Sequence, residues 1–141
     1  MPDPHPSWPL SILGTALFAS ALGALWALVA LWSGRALPLA PLAVAIGMAA
    51  SLRWWGCPPG ARTALLAASG TLLAAAYAQC LFAVNRVAAA MGLQFLETLR
   101  RIGAGMTFEV ARLSLDATDV ALTLAGATLA ALLAWKRPQP R

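Results

Sequence analysis

Charge is scarce in this chain. Only 11% of its 141 residues are Asp, Glu, Lys or Arg, against about 25% in a soluble domain. It has five acids, one histidine, one lysine, one tyrosine and two cysteines. Each shortage excludes something. A single histidine, His5, leaves no bis-histidine haem and no histidine-based metal cluster. Cys57 falls in an expected loop and Cys80 deep in an apolar run. A bridge between them would need Cα atoms within about 7 Å, so a disulfide scaffold is not expected. The apolar runs carry few Val and Ile and do not alternate, which disfavours a β-barrel. No Ser-His-Asp set, glycine-rich phosphate loop or metal-ligand cluster can be assembled. No catalytic, cofactor or metal residue is therefore assigned, and an enzyme is not expected.

What is abundant is Ala and Leu. The chain is 60% hydrophobic with a mean hydropathy of +0.73. Ala and Leu favour helix, so the composition points to a helical membrane protein. The net charge of +5 comes from basic residues at the ends of apolar runs, where they meet headgroups and water. That placement argues for a lipid bilayer and against nucleic acid as the partner. No Lys or Arg precedes the first apolar run, so the start does not resemble a signal peptide.

The order of segments predicts an all-α membrane protein with four transmembrane helices. An extended Pro-rich tail occupies residues 1–9, the four-helix domain 10–135, and a basic tail 136–141. The spans fall at about 10–32, 36–55, 63–90 and 117–135. An amphipathic, interfacial segment at 92–113 separates the third span from the fourth. Small residues recur at four-residue spacing in the first span (Ala16, Ser20, Ala24, beside Ala19, Gly23, Ala27) and the last (Gly126, Ala130, Ala134). Such ridges let helix backbones approach closely in lipid. Trp26 and Trp32 suit one interface and Trp8 the other. Pro38 and Pro41 open the second span, where missing amide donors cost least. Arg53-Trp54-Trp55 closes it as an interface signature.

The third span is the most polar. Tyr77, Gln79, Asn85 and Arg86 form a candidate intramembrane polar site, with Gln79 and Arg86 on one face. Polar groups in lipid are costly unless paired. The bland reading is interhelical hydrogen bonding with an Arg86 that reaches for the surface.

Met91 to Asp119 holds four of the five acids. On an unbroken helix, Glu97, Arg101, Glu109, Arg112, Asp116 and Asp119 would share a sector roughly 120° wide, with Arg100 outside it. Glu97 and Arg101 form an i,i+4 pair in the favourable order, and Glu109 and Arg112 an i,i+3 pair. Gly103-Ala104-Gly105 predicts a break. Asp116 to Asp119 resembles an N-cap with an acid at the third helical position. Together, Glu97, Arg100, Arg101, Glu109, Arg112, Asp116 and Asp119 form a candidate surface for docking a partner or lipid.

These features predict a small accessory or structural subunit of a bacterial inner-membrane assembly, non-catalytic and docking through its amphipathic segment. Its partners would be the bilayer and other membrane proteins, or itself as a homo-oligomer. The alternative is a small dimeric carrier or lipid-handling protein with a polar site around Gln79 and Arg86. Four spans place both termini on one side. The Lys and Arg count is tied between the two sides, and the scarcity of acids beside the tail and the Arg53–Arg62 loop favours cytoplasmic termini.

Overall fold

The computed structural model describes residues 8–34 and 39–135. The expectations for His5, Pro38 and the basic tail lie outside those residues. Within them the chain is all-helical: α1 (Trp8–Ser33), α2 (Ala40–Trp54), α3 (Ala61–Met91), α4 (Phe95–Leu113) and α5 (Ala117–Trp135).

The boundaries follow from local chemistry. Pro41 lies in the first turn of α2, where its missing amide removes no intrahelical bond. Gly56, at φ +73°, and Pro58-Pro59 stop α2 from continuing. The Thr63 hydroxyl then donates to the Pro58 carbonyl at 2.6 Å, which ties the loop to the start of α3. The sequence pattern assigns Gly92 to the start of the amphipathic segment. It is instead the left-handed C-cap of α3, at φ 64°, and its N–H donates back into the last turn. Only glycine takes that conformation without strain, so α3 ends there.

Three helices, Pro9–Ser33, Ala61–Met91 and Ala117–Trp135, are long and apolar enough to cross a membrane. The span expected at 36–55 is shorter: α2 has 15 described residues. At 1.5 Å per residue it covers about 22 Å, against a hydrocarbon core of about 30 Å. A fourth crossing is thus not established by helix length. By the same measure α3, with 31 residues, is about 46 Å long.

α3 packs against all four other helices, and α4 packs against α3 alone. The pairings fix direction. Leu52 of α2 clusters with Leu66 and Ala67 of α3, whereas Val44 and Met48 cluster with Ala74, so α2 and α3 are antiparallel. Along α1, Thr15 lies beside Gly70, Gly23 beside Ala74 and Trp26 beside Phe82, so α1 runs parallel to α3. α5 runs with α2: Gly126 abuts Pro41, and the Arg53 guanidinium donates to the Leu133 carbonyl. That bond ties the end of α2 to the last described turn of α5.

The core is built from small residues. Ala19, Ala45, Ala67, Ala74, Ala78 and Ala130 have no exposed surface, while Leu13, Leu17, Leu25, Leu28 and Leu65 are 56–69% exposed. In water this arrangement would waste the hydrophobic effect. In lipid the outward leucines meet solvent of their own kind, and close backbone packing supplies the cohesion. The inversion agrees with a membrane-embedded protein. Of the expected small-residue rows, Ala16, Ser20 and Ala24 are only half-buried, and the other two lie in the core. Ala19, Gly23 and Ala27 are buried, as are Gly126, Ala130 and Ala134; a Cβ at Gly23 would stand 2.6 Å from the Ala74 carbonyl oxygen. Trp26 departs from its expected interfacial place: it is half-buried and meets Phe82 edge to face at 6.0 Å.

Candidate functional site

The segment between the third and last long helices carries the candidate docking surface. It begins at Gln94, whose backbone is extended, and its first helical bond runs from the Thr98 N–H to the Gln94 carbonyl at 3.0 Å. Gly103 breaks it, at φ 71° and ψ 168°. That region of backbone space is essentially reserved for glycine. The expected break at Gly103–Gly105 is therefore present, at its first residue.

The break decides which side chains face inward. Thr98 is fully buried, and Thr107 and Ala111 are nearly so. Thr98 and Thr107 are nine residues apart, about 180° on a continuous helix. One straight helix could not turn both inwards. The Gly103 break gives each piece its own inward face, and the single charged stripe drawn on an unbroken wheel is divided. Both threonine hydroxyls then bond within their own piece: Thr98 donates to the Gln94 carbonyl at 3.0 Å, and Thr107 to the Gly103 carbonyl at 2.8 Å.

The charges lie outside. Arg101 and Glu97 form the expected i,i+4 pair at 2.7 Å, with 66% and 46% of their side chains exposed. Glu109 and Arg112 are both exposed and form no ion pair with each other among the described residues. Arg100 is exposed as well. Asp116 caps α5: its carboxylate accepts from the Ala117 N–H at 2.7 Å, and its carbonyl accepts the first helical bond from Val120 at 3.1 Å. Asp119 falls in the first turn of α5, where the positive end of the helix dipole favours a carboxylate. Asp116 and Asp119 thus serve the start of α5, whereas Glu97, Arg100, Arg101, Glu109 and Arg112 belong to the outer surface of α4.

The polar residues of α3 do not gather at one place. Gln79 is buried, Asn85 half-buried, and Tyr77 and Arg86 exposed. Gln79 makes no side-chain hydrogen bond among the described residues. The Trp26 indole nitrogen is buried without a partner among the described residues. Sequence reasoning missed that group because it placed Trp26 at the interface. An apolar groove of about 500 Å³ runs between α1 and α2, lined by Leu25, Trp26, Val29, Leu39 and Ala43 among others. No group of three or more His, Cys, Asp or Glu among the described residues could hold a metal ion.

The chain matches no known family model, no curated protein and no solved structure.

Proposed function

We propose that this protein is a small non-catalytic accessory or structural subunit of a larger membrane assembly, docking through the charged outer surface of α4. The observation that supports this most is the position of α4. It leans on α3 alone and leaves Glu97, Arg100, Arg101, Glu109 and Arg112 exposed, on a segment with no charged residue turned inwards. Mixed, outward charges on a helical ledge suit orientation of a partner more than chemistry.

In this reading α2 is a fourth, short crossing. The alternating helix directions support it, since a crossing at α2 lets α1 and α3 run the same way. Both termini and the Trp55–Gly60 loop then share one side, which we assign to the cytoplasm of a bacterial inner membrane. Nine arginines to one lysine, with high Ala, suit a GC-rich bacterial genome.

The experiment is purification from native membranes in mild detergent at native expression. Larger proteins should come with the wild-type chain and be lost from Arg100→Glu, whose exposed site leaves the fold intact. A monodisperse protein without companions would sink the reading.

A second reading, a dimeric carrier or lipid-handling protein, is favoured by one observation: Gln79 is a buried residue of α3 whose amide makes no hydrogen bond among the described residues. There Arg86→Ala would abolish flux while the protein stays folded. Unchanged flux would exclude it.

A further inference from the structure

α1 and α2 touch at one end of their seam and part at the other. At the Trp55 end the contact is close: Phe18 meets Trp55 edge to face at 5.9 Å, and a Cβ on Gly14 would stand 2.9 Å from the Trp55 ring. Leu22 still lies against Gly47. Past that level each helix is held by a different neighbour. Trp26 of α1 rests on Phe82 of α3, whereas Pro41 of α2 rests on Gly126 of α5. The two helices part there, and the groove of about 500 Å³ opens between them. That volume lies within the range of small-molecule sites, about 300–1,000 Å³. Leu25, Trp26 and Val29 form one wall, and Leu39, Ala40 and Ala43 the other. Among the described residues the lining carries no charge. Its one polar side-chain group, the Trp26 indole N–H, is buried rather than open to the groove.

The depth of the groove decides what can enter it. Asp116 and Asp119 stand at the start of α5. Carboxylates are costly in hydrocarbon, so that end of α5 lies at the polar interface. Gly126 stands nine residues further along α5, about 13 Å at the helical rise. Because Pro41 abuts Gly126, the α2 wall begins well inside a hydrocarbon core about 30 Å thick. The other wall, with Leu25 and Val29, belongs to a helix apolar enough to cross a membrane. No water is available at that depth, and an unfilled groove would leave its lining without contact atoms on one side. We infer that the α1–α2 groove is a site for one phospholipid acyl chain, taken from the leaflet on the α4 side. The chain completes the seam that the separate anchoring of α1 and α2 leaves open. The inference goes beyond the subunit reading and does not use the charged surface of α4. It also leaves untouched the polar site around Gln79 on which the carrier reading rests.

The test uses the purified full-length chain, stripped of lipid in detergent and then equilibrated with palmitoyl-oleoyl phosphatidylcholine. Native mass spectrometry should find one lipid retained per chain under activation that removes loosely attached lipid. Ala43→Phe and Val29→Trp fill the groove from opposite walls, at positions already exposed. Each should lower the one-lipid species several-fold. Leu17→Phe, equally exposed on α1 but away from the groove, should leave it at the wild-type level. A lysophosphatidylcholine with one long chain should displace the bound lipid, and a short-chain phosphatidylcholine with the same headgroup should not. The absence of a one-lipid species from the wild-type chain would overturn the site. So would equal retention in the wild type and both filled variants, or an equal loss in Leu17→Phe. Displacement by the short-chain lipid would assign the binding to the headgroup, and a lipid-free dimer would give the groove to a second copy; either result overturns the acyl-chain site. Failure of partner co-purification would leave all of these outcomes unchanged.

Discussion

Gly23 and Gly70 lie in the same α1–α3 seam, yet their replacement should be felt differently. A Cβ on Gly23 would stand 2.6 Å from the Ala74 carbonyl oxygen, which is backbone. Only a shift of a whole helix relieves that contact. A Cβ on Gly70 would come closer still, 2.3 Å from Met48 Cε, but that atom is the end of a flexible side chain. Gly23→Ala should therefore cost about 1–3 kcal/mol, the usual range for overpacking, and Gly70→Ala less, despite the shorter distance. Thermal unfolding of both variants in detergent would check the order, and equal losses would contradict it. Other residues tolerate change for an equally local reason. The Glu97–Arg101 pair is more exposed than buried, so solvent screens it. Arg101→Ala should shift stability by no more than about 0.5 kcal/mol.

At the scale of the element, α4 and the start of α5 depend on two devices. The first is Gly103. An alanine there would meet nothing within 4 Å, so any loss must come from the backbone, held at φ 71° and ψ 168°. Gly103→Ala should cost about 1–3 kcal/mol, or else allow a straighter helix that exposes Thr98 or Thr107. Hydrogen exchange across 95–113 would report either response, and unchanged protection would refute both. The second device is Asp116. Asp116→Ala removes the carboxylate that accepts from Ala117 and should cost about 0.5–2 kcal/mol, the range for lost N-caps, with fraying confined to the first turn of α5. These two features were readable in the sequence because each is made by neighbours along the chain. The Glu109–Arg112 pair was equally local, yet it does not form. At i,i+3 on an exposed surface the attraction is too weak to hold two long side chains in one geometry.

For the whole molecule, the helix directions make a topological prediction. With α2 as a crossing, Cys57 and both termini would share one side, the cytoplasmic one in the proposed orientation. A membrane-impermeant thiol reagent applied to intact cells should then leave Cys57 unlabelled and label it once the membrane is opened. Labelling in intact cells would reverse the orientation. As a proposed crossing, the short α2 would have to match a thicker bilayer with about 22 Å of helix. A bilayer can thin locally, or flanking residues can reach for the interface. Trp54, 90% exposed, stands where such reaching would occur.

The sequence by itself determined that the chain is helical, apolar enough for lipid, and divided where it is. Those properties depend on composition, on runs of Ala and Leu, and on Gly, Pro and Asp at helix ends, all of which act over a few residues. It also marked the small-residue ridges, because four-residue spacing is a property of one helix. Only the tertiary structure decided which partner each ridge meets, that α3 is the helix all others touch, and that Trp26 turns inward to Phe82 while Gln79 and Arg86 part company. Those outcomes depend on how helices distant in sequence are arranged around one another, which spacing along a single helix does not encode. The structure likewise gave each piece of α4 its inward face, since Thr98 and Thr107 gain a common direction only once α3 is there to receive them.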